Sequence, residues 1–163
     1  MSRVRIIGVG TRFGDDRAGL EMAARIAAAP PRGCEVVTTE RPGAELIELL
    51  AGAEAVILLD AVRSGSAAGT VHDLALEDLP QSFRSMSSHG IGITDALALA
   101  EALGCRPRGR LIGVEAAPGS VAMDRPLSAA VAAAITTAVE RVHAWVDRYV
   151  GAERARDAEG ADG

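Results

Sequence analysis

The chain has 163 residues, 24% of them charged, and a formal net charge of −5. All 17 basic residues are Arg, Lys and Asn are missing, and the only histidines are His72, His89 and His143. No lysine Schiff base or P-loop lysine is therefore available, and two distant cysteines, Cys34 and Cys105, cannot form a Cys-based structural zinc site. The acidic balance and 2% aromatic content argue against nucleic acid as a partner. A hydrophobic fraction of 48% fits a globular domain spanning residues 1–150. The strand-like start, the lack of any apolar run near the ~20 residues of a membrane span, and thiols suited to a reducing compartment together predict a cytoplasmic protein with no membrane association.

In chain order, Val4–Val9 reads as a strand. A polar turn from Gly10 to Asp16 leads to a helix with Leu20, Ala23, Ala24 and Ala27 on one face. Cys34–Thr38 reads as a second strand and Ala44–Leu50 as a short helix. Ala55–Leu59, ending at Asp60, is apolar at every position, as expected of a strand covered on both faces. Thr70–Ala75 reads as an edge strand. Ile93, Ala96, Leu97, Ala100 and Leu103 mark another helix, Arg110–Val114 another strand, and Leu127 to about Tyr149 a final helix. Residues 151–163 are small, charged and aperiodic, which suggests a frayed, flexible tail. The alternation predicts an α/β fold, a mostly parallel twisted sheet of about five strands with helices on both faces. Ligands in such sheets bind beyond the carboxyl ends of the strands.

Three polar features fall at that edge. Gly8-Val9-Gly10-Thr11-Arg12-Phe13-Gly14-Asp15-Asp16 is rich in glycine but places Phe13 where a dinucleotide fingerprint needs its third glycine. Its two carboxylates would also repel a pyrophosphate. Capping of the following helix accounts for one of Asp15 and Asp16. Asp60, after the most apolar strand, reads alone as a turn residue. His89, before a helix, reads alone as a loop histidine. Together, two carboxylates and an imidazole make a mixed oxygen and nitrogen set suited to a borderline divalent metal, be it nickel, zinc, manganese or cobalt. His72, in the edge strand, and His143, in the last helix, are poorer candidates. Neither a G-x-S-x-G elbow nor an H-E-x-x-H helix is present.

The ordered set resembles the nickel–iron hydrogenase maturation proteases. It consists of Ile7-Gly8-Val9-Gly10 leading to Gly14-Asp15-Asp16 and Gly19, then Leu58-Leu59-Asp60-Ala61 and Gly69-Thr70. Ser87-Ser88-His89-Gly90-Ile91, Leu111-Ile112-Gly113-Val114-Glu115 and Leu127-Ser128 complete it. The resemblance runs from Val4 to about Val146. It implies an endopeptidase, classed as aspartic-type, that removes the C-terminal extension of the hydrogenase large-subunit precursor after nickel insertion and activates the enzyme. It implies Asp16, Asp60 and His89 as residues contacting nickel brought by the precursor, with Asp16 and Asp60 catalytic, and a protein acting as a monomer. Thr11 stands where the family has Asn, the first loop is one residue short, and Arg17 replaces the glycine after the acidic pair. Arg17 could pair with Asp15 or weaken metal contact. A non-catalytic metal- or precursor-binding assembly factor of the same fold is the alternative, and a generic ligand-binding domain is a third reading.

Overall fold

The computed structural model describes residues 4–79, 84–85, 92–120 and 125–161. Strand β1 (Val4–Val9) leads through one 3₁₀ turn, Gly14–Arg17, into helix α1 (Ala18–Ala28). Strand β2 (Cys34–Thr39), helix α2 (Gly43–Leu50), strand β3 (Ala55–Arg63) and strand β4 (Val71–Ala75) follow. The two-residue strand β5 (Arg84–Ser85), helix α3 (Ile93–Ala102), strand β6 (Arg108–Glu115) and helix α4 (Ala129–Gly160) complete the order.

The sheet runs β2-β1-β3-β6-β4, with β5 paired onto β3. β1, β2, β3 and β6 are parallel, and β4 and β5 are antiparallel additions. This is the mostly parallel architecture that the sequence predicts. Alternate residues of β3 serve opposite cores. Ile57, Leu59 and Ala61 pack with α1 and α4, while Val56, Leu58 and Val62 pack with α2 and α3. A strand covered on both faces has no place for a polar alternation, which is why it reads as one apolar run.

The chain leaves β1 under one helix layer to reach β2 and returns under the other to reach β3. Strand order therefore reverses between β1 and β3, and a crevice opens at their carboxyl ends. The β1–β3 ladder stops at Gly8 and Leu59. Asp60 is thus the first residue of β3 without a β1 neighbour. It is not the last residue of its strand, as the sequence suggests. The pairing with β6 and β5 carries β3 on to Arg63.

The helices differ from expectation in detail. α1 buries Ala18, Gly19, Met22, Ala23 and Ile26, whereas Ala24 and Ala27 face solvent. The larger side chains fill the core, and the small ones let the helix lie close on β1. A Cβ on Gly8 would stand 2.6 Å from the Ala23 Cβ, and one on Gly19 would stand 2.1 Å from the Val9 carbonyl oxygen. These glycines serve backbone approach and not phosphate binding. Leu103 lies beyond the end of α3 and is 69% exposed. α4 continues unbroken through Gly160 where the sequence suggests a frayed tail. Its Ala, Arg and Glu residues favour helix, and Arg156 pairs with Glu153 at 2.6 Å. No helix of the described residues is long and apolar enough to cross a membrane.

The contact of α1 with β1 and β3 can be tested by adding one methyl group. Gly19→Ala should destabilise the protein by about 2 kcal/mol, because the new Cβ meets two rigid carbonyl oxygens. Gly151→Ala, in open space on α4, should instead stabilise by about 0.5–1 kcal/mol. Denaturant titration of both variants reads the contrast.

Candidate active site

The loop after β1 folds back on itself. The Thr11 N–H donates to the Asp16 carbonyl at 3.2 Å, and the Asp16 N–H donates to that of Phe13 at 3.0 Å. Gly10 lies so near that a Cβ there would stand 2.2 Å from the Asp16 carbonyl oxygen. Gly14, at φ 53°, takes the left-handed conformation that starts the 3₁₀ turn.

Asp15 and Asp16 are adjacent and both buried, yet their surroundings are opposite. Asp15 accepts hydrogen bonds from the Ala117 N–H (2.8 Å), the Ser128 N–H (2.7 Å) and the Ser128 hydroxyl (2.8 Å). Burial alone would push its pKa up, but these donors outweigh burial and hold it below the ordinary aspartate value. Ser128 is the residue preceding α4, so the carboxylate also lies at the positive end of that helix. The sequence reading has one of the pair capping α1, but α1 carries no side-chain cap and Asp15 instead binds Ser128, the residue preceding α4.

Asp16 is 4% exposed and accepts the Thr11 hydroxyl at 2.5 Å. Burial raises its pKa above the ordinary value, against the opposing pull of the Thr11 bonds and the Arg63 cation. Asp60 is 1% exposed. Asp16 and Asp60 line one small cavity together with Gly10, Thr11, Glu40 and Pro42. Its volume of about 10 Å³ suits a single ion or water. The structure thus unites two of the three residues that the sequence nominates, from separate elements, at the β1–β3 crevice. The third, His89, lies outside the described residues, as does the rest of its motif. Among the described residues no three His, Cys, Asp or Glu side chains form a metal-holding group. The carboxylate pair supplies oxygen donors of the kind a divalent cation takes.

Arg17 does neither of the things its position suggests. Its guanidinium donates to the Arg12 carbonyl at 2.9 Å, and the cation acting on Asp16 is Arg63, at the end of β3.

A fourth buried carboxylate, Glu115, is not nominated by the sequence as a site residue. Glu115, at the end of β6, accepts from the Ser64 N–H (2.8 Å), the Ser64 hydroxyl (2.8 Å) and the Gly65 N–H (3.1 Å). His72 Nε2 lies 3.0 Å from it. Burial would raise the Glu115 pKa, and these bonds lower it overall. Glu115 therefore pins the loop that follows β3, and His72 supports Glu115. The signal was legible, because Glu115 ends an apolar strand just as Asp60 follows one.

The fold and site define a doubly wound α/β protein with a buried carboxylate pair where strand order reverses. Residues 20–145 match the family model described as hydrogenase maturation protease. That match takes in Asp60 and the position of His89 and begins just after Asp16. The hydrogenase expression/formation protein HupD of Rhodobacter capsulatus is 30% identical over 152 residues, covering 88% of this chain and 72% of that protein. The hydrogenase maturating endopeptidase HybD from E. coli superposes with a TM-score of 0.75 at 28% identity, covering 90% of this chain and 93% of that one. The [NiFe] hydrogenase maturation protease HybD of Thermococcus kodakarensis gives a TM-score of 0.68 at 26% identity, covering 88% and 98%. The chain belongs to the hydrogenase maturation protease family. It is an endopeptidase that processes the hydrogenase large subunit.

Two stability measurements follow from the anchors. Asp15→Asn should cost about 2–3 kcal/mol, because an amide cannot accept from all three donors. Glu115, with its pKa lowered by folding, adds stability above its unfolded pKa, and that stability is lost as pH falls through the folded value. Denaturation midpoints taken from neutral to acid pH should fall more steeply for the wild type than for Glu115→Gln.

Proposed function

We propose that this endopeptidase removes the C-terminal extension of the large-subunit precursor once nickel is in place, and that Asp16, Asp60 and His89 contact the nickel carried by that substrate. One observation carries the reading: carboxylates from the β1 loop and from β3 share a single ion-sized cavity at the switch point. Their oxygens and the imidazole of His89 would complete the coordination of a borderline cation whose other ligands come from the precursor. The metal is part of the substrate, and polarisation of a nearby carbonyl or water is the chemistry it supplies.

Asp16 suits the proton-transfer role. Burial raises its pKa in the metal-free protein, and nickel arriving with the substrate would lower it, so the carboxylate is the form present once the metal is bound. It can take the proton of the attacking water and pass it to the departing amine. Thr11, in the family's Asn position, donates to Asp16 and fixes its orientation. The assembly-factor alternative drew on Arg17 as an intruding cation, and the Arg17 bond to the Arg12 carbonyl removes that argument. A cytoplasmic monomer acting on one precursor at a time completes the proposal.

Co-expression with the cognate precursor, read by intact mass, tests it. The wild type should shorten the precursor, and Asp16→Asn, Asp60→Asn and His89→Ala should each leave its mass unchanged. Asp16→Asn should keep or raise the melting temperature, because it removes a carboxylate whose charged form burial disfavours. Continued cleavage by all three variants would refute the assignment.

A further inference from the structure

A larger open groove of about 450 Å³ adjoins the ion-sized cavity. Arg12, Thr39, Glu40, Arg41 and Glu45 line it. Glu40 borders both spaces, so the groove lies beside the cavity of the Asp16–Asp60 pair. The charges in it are unequally committed. Glu45 accepts the Thr39 hydroxyl at 2.8 Å. Glu40 stands 3.8 Å from the Arg12 guanidinium, beyond hydrogen-bond length. Arg41 uses its backbone N–H on Thr39, and its guanidinium makes no hydrogen bond or ion pair with the described residues. The Arg12 side chain is 85% exposed. Phe13 beside it is 40% exposed in a chain with only two phenylalanines. Exposed Arg with an adjacent aromatic is the composition that anchors a protein partner.

We propose that this groove holds the precursor segment beside the scissile bond, and that Arg12 and Arg41 read an acidic side chain in it. Glu40 is the internal stand-in, a carboxylate loosely facing Arg12 that a substrate carboxylate displaces. A planar guanidinium favours a carboxylate over a neutral amide by charge and by paired N–H donors. The inference rests on the processing reading above, but its test needs no cleavage.

The probes are short, C-terminally amidated peptides of Ala, Gly and Ser carrying a neutral dye and a central pair of either Glu or Gln. Binding is followed by fluorescence anisotropy. The wild type should hold the Glu peptide about fivefold more tightly at low salt, as two exposed charge contacts allow. Raising the salt from about 0.02 M to about 0.3 M should remove the preference. Arg12→Gln with Arg41→Gln should abolish it while the melting temperature holds, and Glu40→Gln should strengthen it. Equal affinity for the two peptides in the wild type, or a preference surviving in the double variant, overturns the proposal. Failure of precursor processing alone would instead overturn the reading on which it rests.

Discussion

The buried carboxylate of Asp15 is the contact on which the site depends. It joins the loop after β1 to Ala117, beyond β6, and to Ser128, before α4. Those segments are more than a hundred residues from Asp15 in sequence, and no strand ladder connects them to the loop. With three donors on Asp15, the 3₁₀ turn is fixed, and a turn of three residues per revolution aims the next side chain elsewhere. Asp16 consequently faces the cavity it shares with Asp60. One acidic dipeptide thereby supplies both an anchor with a lowered pKa and a cavity-lining carboxyl with a raised one.

The other side of the crevice is secured in a similar way. Glu115 collects donors from Ser64 and Gly65, and its backbone exchanges hydrogen bonds with Gly69 and Thr70. Gly69, at φ 82°, lies against the first turn of α4, where a Cβ would stand 2.7 Å from the Ala130 carbonyl oxygen. The loops after β1 and β3 are thus each held by a buried carboxylate, and both meet the start of α4. Between them β3 carries Asp60 past the point where its β1 ladder stops. A rigid frame of this kind costs no reorganisation when a charged substrate arrives.

Much of this was legible in the residues. The unbroken apolar run of β3 announced a strand covered on both faces, and the alternation of strands and helices announced the layering. Asp16 and Asp60 were nominated by their places at strand ends. What the sequence could not supply was direction. Whether Asp15 or Asp16 faces the crevice depends on donors from Ala117 and Ser128, which only the fold brings near. Periodicity places Ala23 correctly on the buried face of α1 but puts Ala24 and Ala27 there as well, because the close packing of Gly19 and Ala23 on Gly8 is a steric choice that periodicity does not carry. The last helix runs past Tyr149, where the periodicity stops, because a charged, small-residue segment reads alike as coil and as solvated helix. Arg17 looked like an intruder only because sequence adjacency says nothing about which carbonyl a guanidinium reaches.

The central claim is that two neighbouring carboxyls are driven apart by their surroundings, one to hold the loop and one to act. Site-resolved carbon NMR of the Asp15 and Asp16 side-chain carboxyls across a pH titration measures this directly. Asp15 should titrate below the ordinary aspartate value and Asp16 above it. The reverse order, or two coincident titrations near the ordinary value, would contradict the account.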